Sequence, residues 1–189
     1  MSKIKKSKPM TRKEFKSKIN KWKRTVKKYN SRPNKTGYRS DCSGLTSYLW
    51  DLPKKMYNGV YSGGPRTRDN GRFNLKYWSE KINKKDLRNG DGILVMKPSY
   101  HVAIFDKWAN KEKTQYYIYE MCGKKFCRGF IHSKQDYPYT KRLRPKFKNP
   151  TLLRRNTRKI NKFLKFKKRE EKILNYKSIS RIKWLGLLD

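Results

Sequence analysis

The chain has 189 residues, with 52 lysines and arginines against 14 acidic residues and a formal net charge of +38. That length suits one domain with extensions, and the charge implies a polyanionic partner: nucleic acid, an anionic membrane or an acidic polymer. No apolar run approaches a membrane span, and no apolar stretch follows the basic residues 1–10 as a secretory leader requires.

The charge is unevenly spread. Residues 1–28 hold 13 basic and 1 acidic side chain, residues 141–189 hold 18 and 3, and residues 29–140 hold 21 and 10. The expected division is a basic disordered arm over 1–11, a globular domain over 12–140 and a basic, largely helical extension over 141–189. Thr11 and Glu14 have capping-box spacing, and Phe15, Ile19, Trp22, Val26 and Tyr29 then recur with helical period. This predicts an amphipathic helix over 12–29, followed by a loop through Pro33 and Asn34. Next comes Asp41-Cys42-Ser43-Gly44-Leu45. Ser40 or Asp41 is a suitable cap, and Leu45, Leu49 and Trp50 fall on one buried face of a helix that stops by Leu52-Pro53. Cys42 then sits in the first turn, where backbone N–H groups and the helix dipole stabilise a thiolate. The alternative is a buried structural cysteine.

Residues 56–75 carry Asn58-Gly59, Gly63-Gly64-Pro65 and Asn70-Gly71, and read as a long loop. The pattern then changes to short strands: Ile93–Met96, His101–Phe105, Gln115–Met121 and Arg128–His132, separated by turns at Asn89–Gly92 and Pro98-Ser99. Closely spaced strands of this kind predict an antiparallel meander. Helices first and strands after make an α+β order. Residues 151–176 read as one long helix, with Ile160, Phe163, Leu164 and Leu174 near one face and basic residues elsewhere.

Three cysteines, Cys42, Cys122 and Cys127, give no disulfide framework, although the last two can pair under oxidation. With only two histidines in the chain they also make a poor zinc set, and neither a metal nor an organic cofactor is expected. A thiolate nucleophile needs an imidazole to take and return its proton, and a third polar group to orient that imidazole. His101 opens a strand just after a turn, an exposed end from which it can face a helix N-terminus. His132, among Arg128, Lys134 and aromatic residues, reads as a surface residue. Glu120 lies in an apolar strand and needs a partner there, which the neighbouring His101 strand can supply. Simple outward alternation is the other reading of Glu120.

Four segments together resemble the NlpC/P60 superfamily of papain-like cysteine hydrolases: Asp41-Cys42-Ser43-Gly44-Leu45, Gly64-Pro65-Arg66-Thr67, Asp86-Leu87-Arg88-Asn89-Gly90-Asp91 and His101-Val102-Ala103-Ile104-Phe105. The resemblance covers about 29–140. It implies a papain-like fold, Cys42 as nucleophile, His101 as base and Glu120 as the orienting residue, where commoner members use His, Asn or Gln. It further implies that Tyr29, with Tyr38 as the alternative, lines the site beside Asp41 and Ser43. The expected activity is peptidase or amidase chemistry through a thioester. The alternative is a catalytically silent structural or nucleic-acid-associated protein of the same fold. The polycationic flanks, 1–28 and 141–189, suit sequence-independent binding of nucleic acid or another polyanion. With no leader evident, the expected setting is intracellular or within the virion of a large DNA virus.

Overall fold

The computed structural model describes residues 10–56, 61–95, 100–123, 129–137 and 151–184, with backbone alone at 56, 61, 151 and 173–184. Outside the described residues fall most of the expected arm over 1–11, the Asn58-Gly59 and Pro98-Ser99 turns, Cys127, Arg128, and the first ten residues of the 141–189 extension. The described residues divide into two compact units, one within 10–155 and the other from Asn156 onward.

The larger unit is α+β. Helix α1 (Arg12–Thr25) starts at the reciprocal capping box of Thr11 and Glu14 and buries Phe15, Ile19 and Trp22. The helix stops short of the expected residue 29. Thr25 turns its hydroxyl back on the Lys21 carbonyl (2.9 Å), and Val26 caps in extended geometry. Val26 stays buried although it has left the helix, whereas Tyr29 is 40% exposed, so the apolar period outran the helix that produced it. The expected loop over 31–35 contains a short strand, β1 (Asn30–Pro33), paired with β2 (Arg39–Ser40). Helix α2 (Cys42–Leu49) follows directly, with nearly every side chain buried. Lys18 of α1 donates to the Tyr48 and Leu49 carbonyls and pairs with Asp51, satisfying the end of α2 where a cation is favoured.

The segment expected as loop holds a small pair, β3 (Lys55–Met56) and β4 (Tyr61–Ser62), and two 3-10 turns over 71–73 and 75–78. Strand β5 (Ser79–Lys81) comes next, then β6 (Gly92–Val95), β7 (His101–Trp108), β8 (Gln115–Cys122), β9 (Gly129–Asp136) and β10 (Thr151–Arg155). These make one six-stranded sheet in the order β5-β10-β6-β7-β8-β9, and every neighbouring pair is antiparallel. One face carries Val102, Tyr119 and Met121 toward the helices: Phe15 packs on the Tyr119 ring, Trp22 Nε1 reaches Met121 Sδ (3.3 Å), and Trp50 lies against Gly92. The other face carries a cluster of Leu87, Ile93, Ala103, Phe105, Tyr116, Ile118 and Leu152.

The expected helix over 151–176 divides. Residues 151–155 form β10, with Leu152 and Leu153 buried, and only Thr157–Trp184 forms the helix, α3. The boundary expected after 140 therefore lies after Arg155. Arg154 fixes β10 to the turn before β6 by a two-pronged pair with Asp91, at 3.1 and 2.8 Å. Asp91 also accepts from the Arg88 N–H, and Trp50 Nε1 donates to Gly90 O (2.9 Å), so the same turn ties α2 to the sheet. In the smaller unit Asn156 caps α3, accepting from the Lys159 N–H (2.9 Å). No helix among the described residues is long and apolar enough to span a membrane.

Removing β10 bares the facing edges of β5 and β6 and takes two leucines from the core. A chain ending before Thr151 is expected to lose its cooperative thermal transition by circular dichroism, and a chain ending at Arg155 to keep it.

Candidate active site

The nucleophile candidate is held by its neighbours in sequence. Asp41 is the N-cap of α2, its Oδ1 accepting from the Gly44 N–H (2.6 Å) and the Ser43 hydroxyl (2.8 Å). Its Oδ2 pairs with Arg39 Nε at 3.1 Å. Arg39 is 1% exposed, and its fork also donates to Ser43 Oγ (3.1 Å), Ser62 O (3.1 Å) and Pro65 O (3.0 Å). Every residue of the motif has a local reason. Gly44 is required because a Cβ there would stand 1.8 Å from the Arg39 carbonyl oxygen. Gly63 has φ +84° and a Cβ on it would meet Arg39 Cγ at 2.6 Å, so the loop can close over the guanidinium only with glycine. Cys42, the first residue of α2, has a backbone N–H with no intrahelical acceptor.

His101 opens β7, opposite Val95 of β6. The register of β7 and β8, Ile104 against Tyr119, carries Ala103 opposite Glu120. His101 is two residues from Ala103, so it shares a face with Glu120 as its diagonal neighbour. The side chains meet there: His101 Nε2 and Glu120 Oε2 are 2.5 Å apart, with the residues 6% and 2% exposed. Outward alternation is thus not the arrangement of Glu120. Cys42 is in hydrogen-bond and charge contact with the same ring. Since Nε2 is taken by Glu120, Nδ1 is the nitrogen left for the sulfur.

Burial alone pushes the His101 imidazolium down in pKa, but the charge and hydrogen bond of Cys42, followed by those of Glu120, outweigh it and raise the ring from 6.5 to about 9. Cys42, His101 and Glu120 come from three separate elements, α2, β7 and β8, and the fold brings all three together.

The remaining expected residues are placed as follows. Asp41 and Ser43 stand beside Cys42, but both are buried and engaged with Arg39, so they shape the helix start. The Tyr29 ring lies on Gly123, where a Cβ would meet it at 3.0–3.1 Å. Gly123 follows Cys122, at the end of β8 that faces His101, so Tyr29 stands at the same end of the sheet as the site. Tyr38 does not serve there: it is buried and its hydroxyl donates to Leu52 O (2.7 Å). Cys122 is disulfide-bonded, and Cys42 is a free thiol.

Arg39 was not legible as a site residue, since an arginine before a Ser-Asp cap carries no pattern of its own. His132 is exposed, as expected of a surface residue, and it also has a carboxylate partner. Its Nε2 meets the buried Asp106 carboxylate at 3.0 Å, and its ring stacks on Tyr119 with centroids 4.1 Å apart. No group of three or more His, Cys, Asp or Glu side chains suited to a metal ion occurs among the described residues.

No protein-family model matches the sequence, and no curated protein matches it either.

A ring raised in the folded state contributes stability fully below about 6.5 and loses it as the pH rises through about 9. By NMR the His101 ring is expected to stay protonated to about pH 9. Glu120→Gln should lower that midpoint, because it removes the carboxylate charge. A wild-type midpoint at or below that of a free imidazole would contradict the pairing.

Proposed function

We propose that this protein is a papain-like cysteine hydrolase of the NlpC/P60 type, cleaving an amide or peptide bond through a thioester. The observation that carries the proposal is a buried His101 in contact with both Cys42 and the buried Glu120 carboxylate. Cys42 attacks the carbonyl carbon as thiolate, forming the C–S bond, and the oxyanion takes the backbone N–H of Cys42 at the start of α2. Tyr29, at the same end of the sheet, is the side-chain candidate for a second donor. His101, protonated once it has taken the thiol proton, gives that proton to the leaving amine. It then accepts one from the water that resolves the thioester. Glu120 fixes the ring and stabilises its charged form. No metal or organic cofactor enters this scheme.

The basic segments supply the second part of the proposal, binding of a nucleic-acid backbone. Over residues 157–172 helix α3 carries eight basic and two acidic side chains. Such a surface neutralises phosphates and releases counterions without reading bases. A chain packed with nucleic acid, as in a virion, is the setting that suits both parts.

Iodoacetamide is expected to label Cys42 much faster than the same cysteine in the denatured chain. Cys42→Ala should abolish turnover of a library of amide, ester and peptide substrates without changing the thermal transition. Glu120→Gln, which can keep a hydrogen bond to the ring, should cost less in kcat/KM than His101→Ala. Equal, complete loss in both would assign Glu120 an obligatory charge. For the basic segment, reversing Lys162, Lys165 and Lys168 to Glu should weaken binding to a short DNA duplex and reduce the slope of log affinity against log salt by roughly one unit per lost phosphate contact. An unchanged slope would remove α3 from the interface.

A further inference from the structure

We infer that Arg39 is a positioning residue for the nucleophile: its guanidinium holds Asp41 as a neutralised cap, so that the Cys42 thiolate answers to His101 and the helix start. This rests on the reading of Cys42 as a nucleophile.

The argument begins with the choice of cap. Serine or asparagine caps a helix as well as aspartate and brings no charge. Here the cap is an aspartate directly before the nucleophile in sequence, and an unneutralised carboxylate at that point would oppose a thiolate. Both of its oxygens are instead occupied. Oδ1 accepts from Ser43 Oγ and the Gly44 N–H, and Oδ2 faces Arg39 Nε. The arginine is fully buried and is held by four hydrogen bonds, two of them to the Ser62 and Pro65 carbonyls of the loop beside α2. Nothing in that loop requires a cation, because its carbonyls could be satisfied by neutral donors. The charge is used by Asp41.

Arg39 from β2 pairs with Asp41, the residue before Cys42 at the head of α2, while His101 from β7 meets both Cys42 and Glu120 from β8. The adjoining 62–65 loop contributes only carbonyls to the arginine. With Arg39 present, the arginine balances Asp41 and the imidazolium is left for the thiolate. Without it, the Asp41 carboxylate is left unopposed at the residue before Cys42, and a negative charge there disfavours a thiolate.

The test is the pH dependence of Cys42 alkylation by iodoacetamide in the full chain, with the labelled residue read by mass spectrometry. Arg39→Met should move the acid limb upward, slowing alkylation at mildly acid pH by roughly tenfold. Arg39→Lys keeps a cation beside Asp41 and should leave the limb near its wild-type position. Asp41→Asn keeps the cap, leaves the arginine unbalanced, and should move the limb downward. The double variant Arg39→Met with Asp41→Asn should return it toward wild type. A purely structural arginine predicts a different set: lower melting temperatures, an unmoved limb, and a double variant no better than Arg39→Met. That set would overturn the inference. Should Arg39→Met fail to fold, Asp41→Asn decides alone, a downward limb supporting the inference and an unmoved one overturning it. If wild-type Cys42 reacts no faster than the denatured chain, the nucleophile reading falls and this inference with it. An unmoved limb on a fast-reacting Cys42 overturns this inference only.

Discussion

The ion pair between Arg39 and Asp41 is the interaction on which the candidate site depends. A guanidinium taken fully out of water is expensive unless its donors are met and its charge is opposed. Here Asp41, Ser43, Ser62 and Pro65 meet the donors, and those residues span the N-cap and first turn of α2, strand β4 and the loop after it. One side chain therefore sets where the helix begins and where the loop lies. Gly44 and Gly63 are shaped by the same side chain and its carbonyl, since each would collide with Arg39 if it carried a Cβ. The Asp-Cys-Ser-Gly run is in this sense a packing solution around an arginine as well as a presentation of a thiol.

The sheet holds two histidine–carboxylate pairs, and burial separates them. His101 and Glu120 are both enclosed, with a third group, Cys42, on the ring. The His132 side chain is 39% exposed, and its ring lies flat on Tyr119 while Asp106 is shared with the Asn89 amide. No thiol or hydroxyl nucleophile is placed against His132 by the contacts described. The first pair sits at the opening of β7, in contact with Cys42 at the head of α2. The second pins the β8–β9 hairpin to β7 and to the turn before β6.

Much of this was legible in the sequence, and what was not has physical causes. The Asp41 cap, the buried face of α2 and the strand character of 101–105 and 115–121 follow from local chemistry and period. The pairing of His101 with Glu120 needed only the register, because residues two apart on a strand share a face. The apolar period overshoots the end of helix α1 because Val26 keeps its place in the core after the backbone has become extended. Strand β10 was read as helix because Leu152-Leu153 is a very short apolar run set among basic residues, and nothing nearby marks a strand. Its identity comes from the edges of β5 and β6, which lie far away in sequence. Arg39 was invisible for a similar reason: a buried arginine is recognised by its acceptors, and two of the four, the Ser62 and Pro65 carbonyls, belong to a segment that the chain brings close only by folding.

The position of β10 also orders events during synthesis. Leu152 pairs with Ile93, and Leu153 with both Gly92 and Lys81, so the middle of the sheet is closed by contacts of very large sequence separation. Cys42, His101 and Glu120 are all made well before residue 151 leaves the ribosome. Until then β6, whose Val95 lies beside His101, has an unpaired edge on its other side. Contacts of this kind close late, after the loop entropy of the intervening chain has been overcome. A nascent chain thus holds all three site residues without the framework that fixes them, and its reactive centre matures only when the last strand arrives.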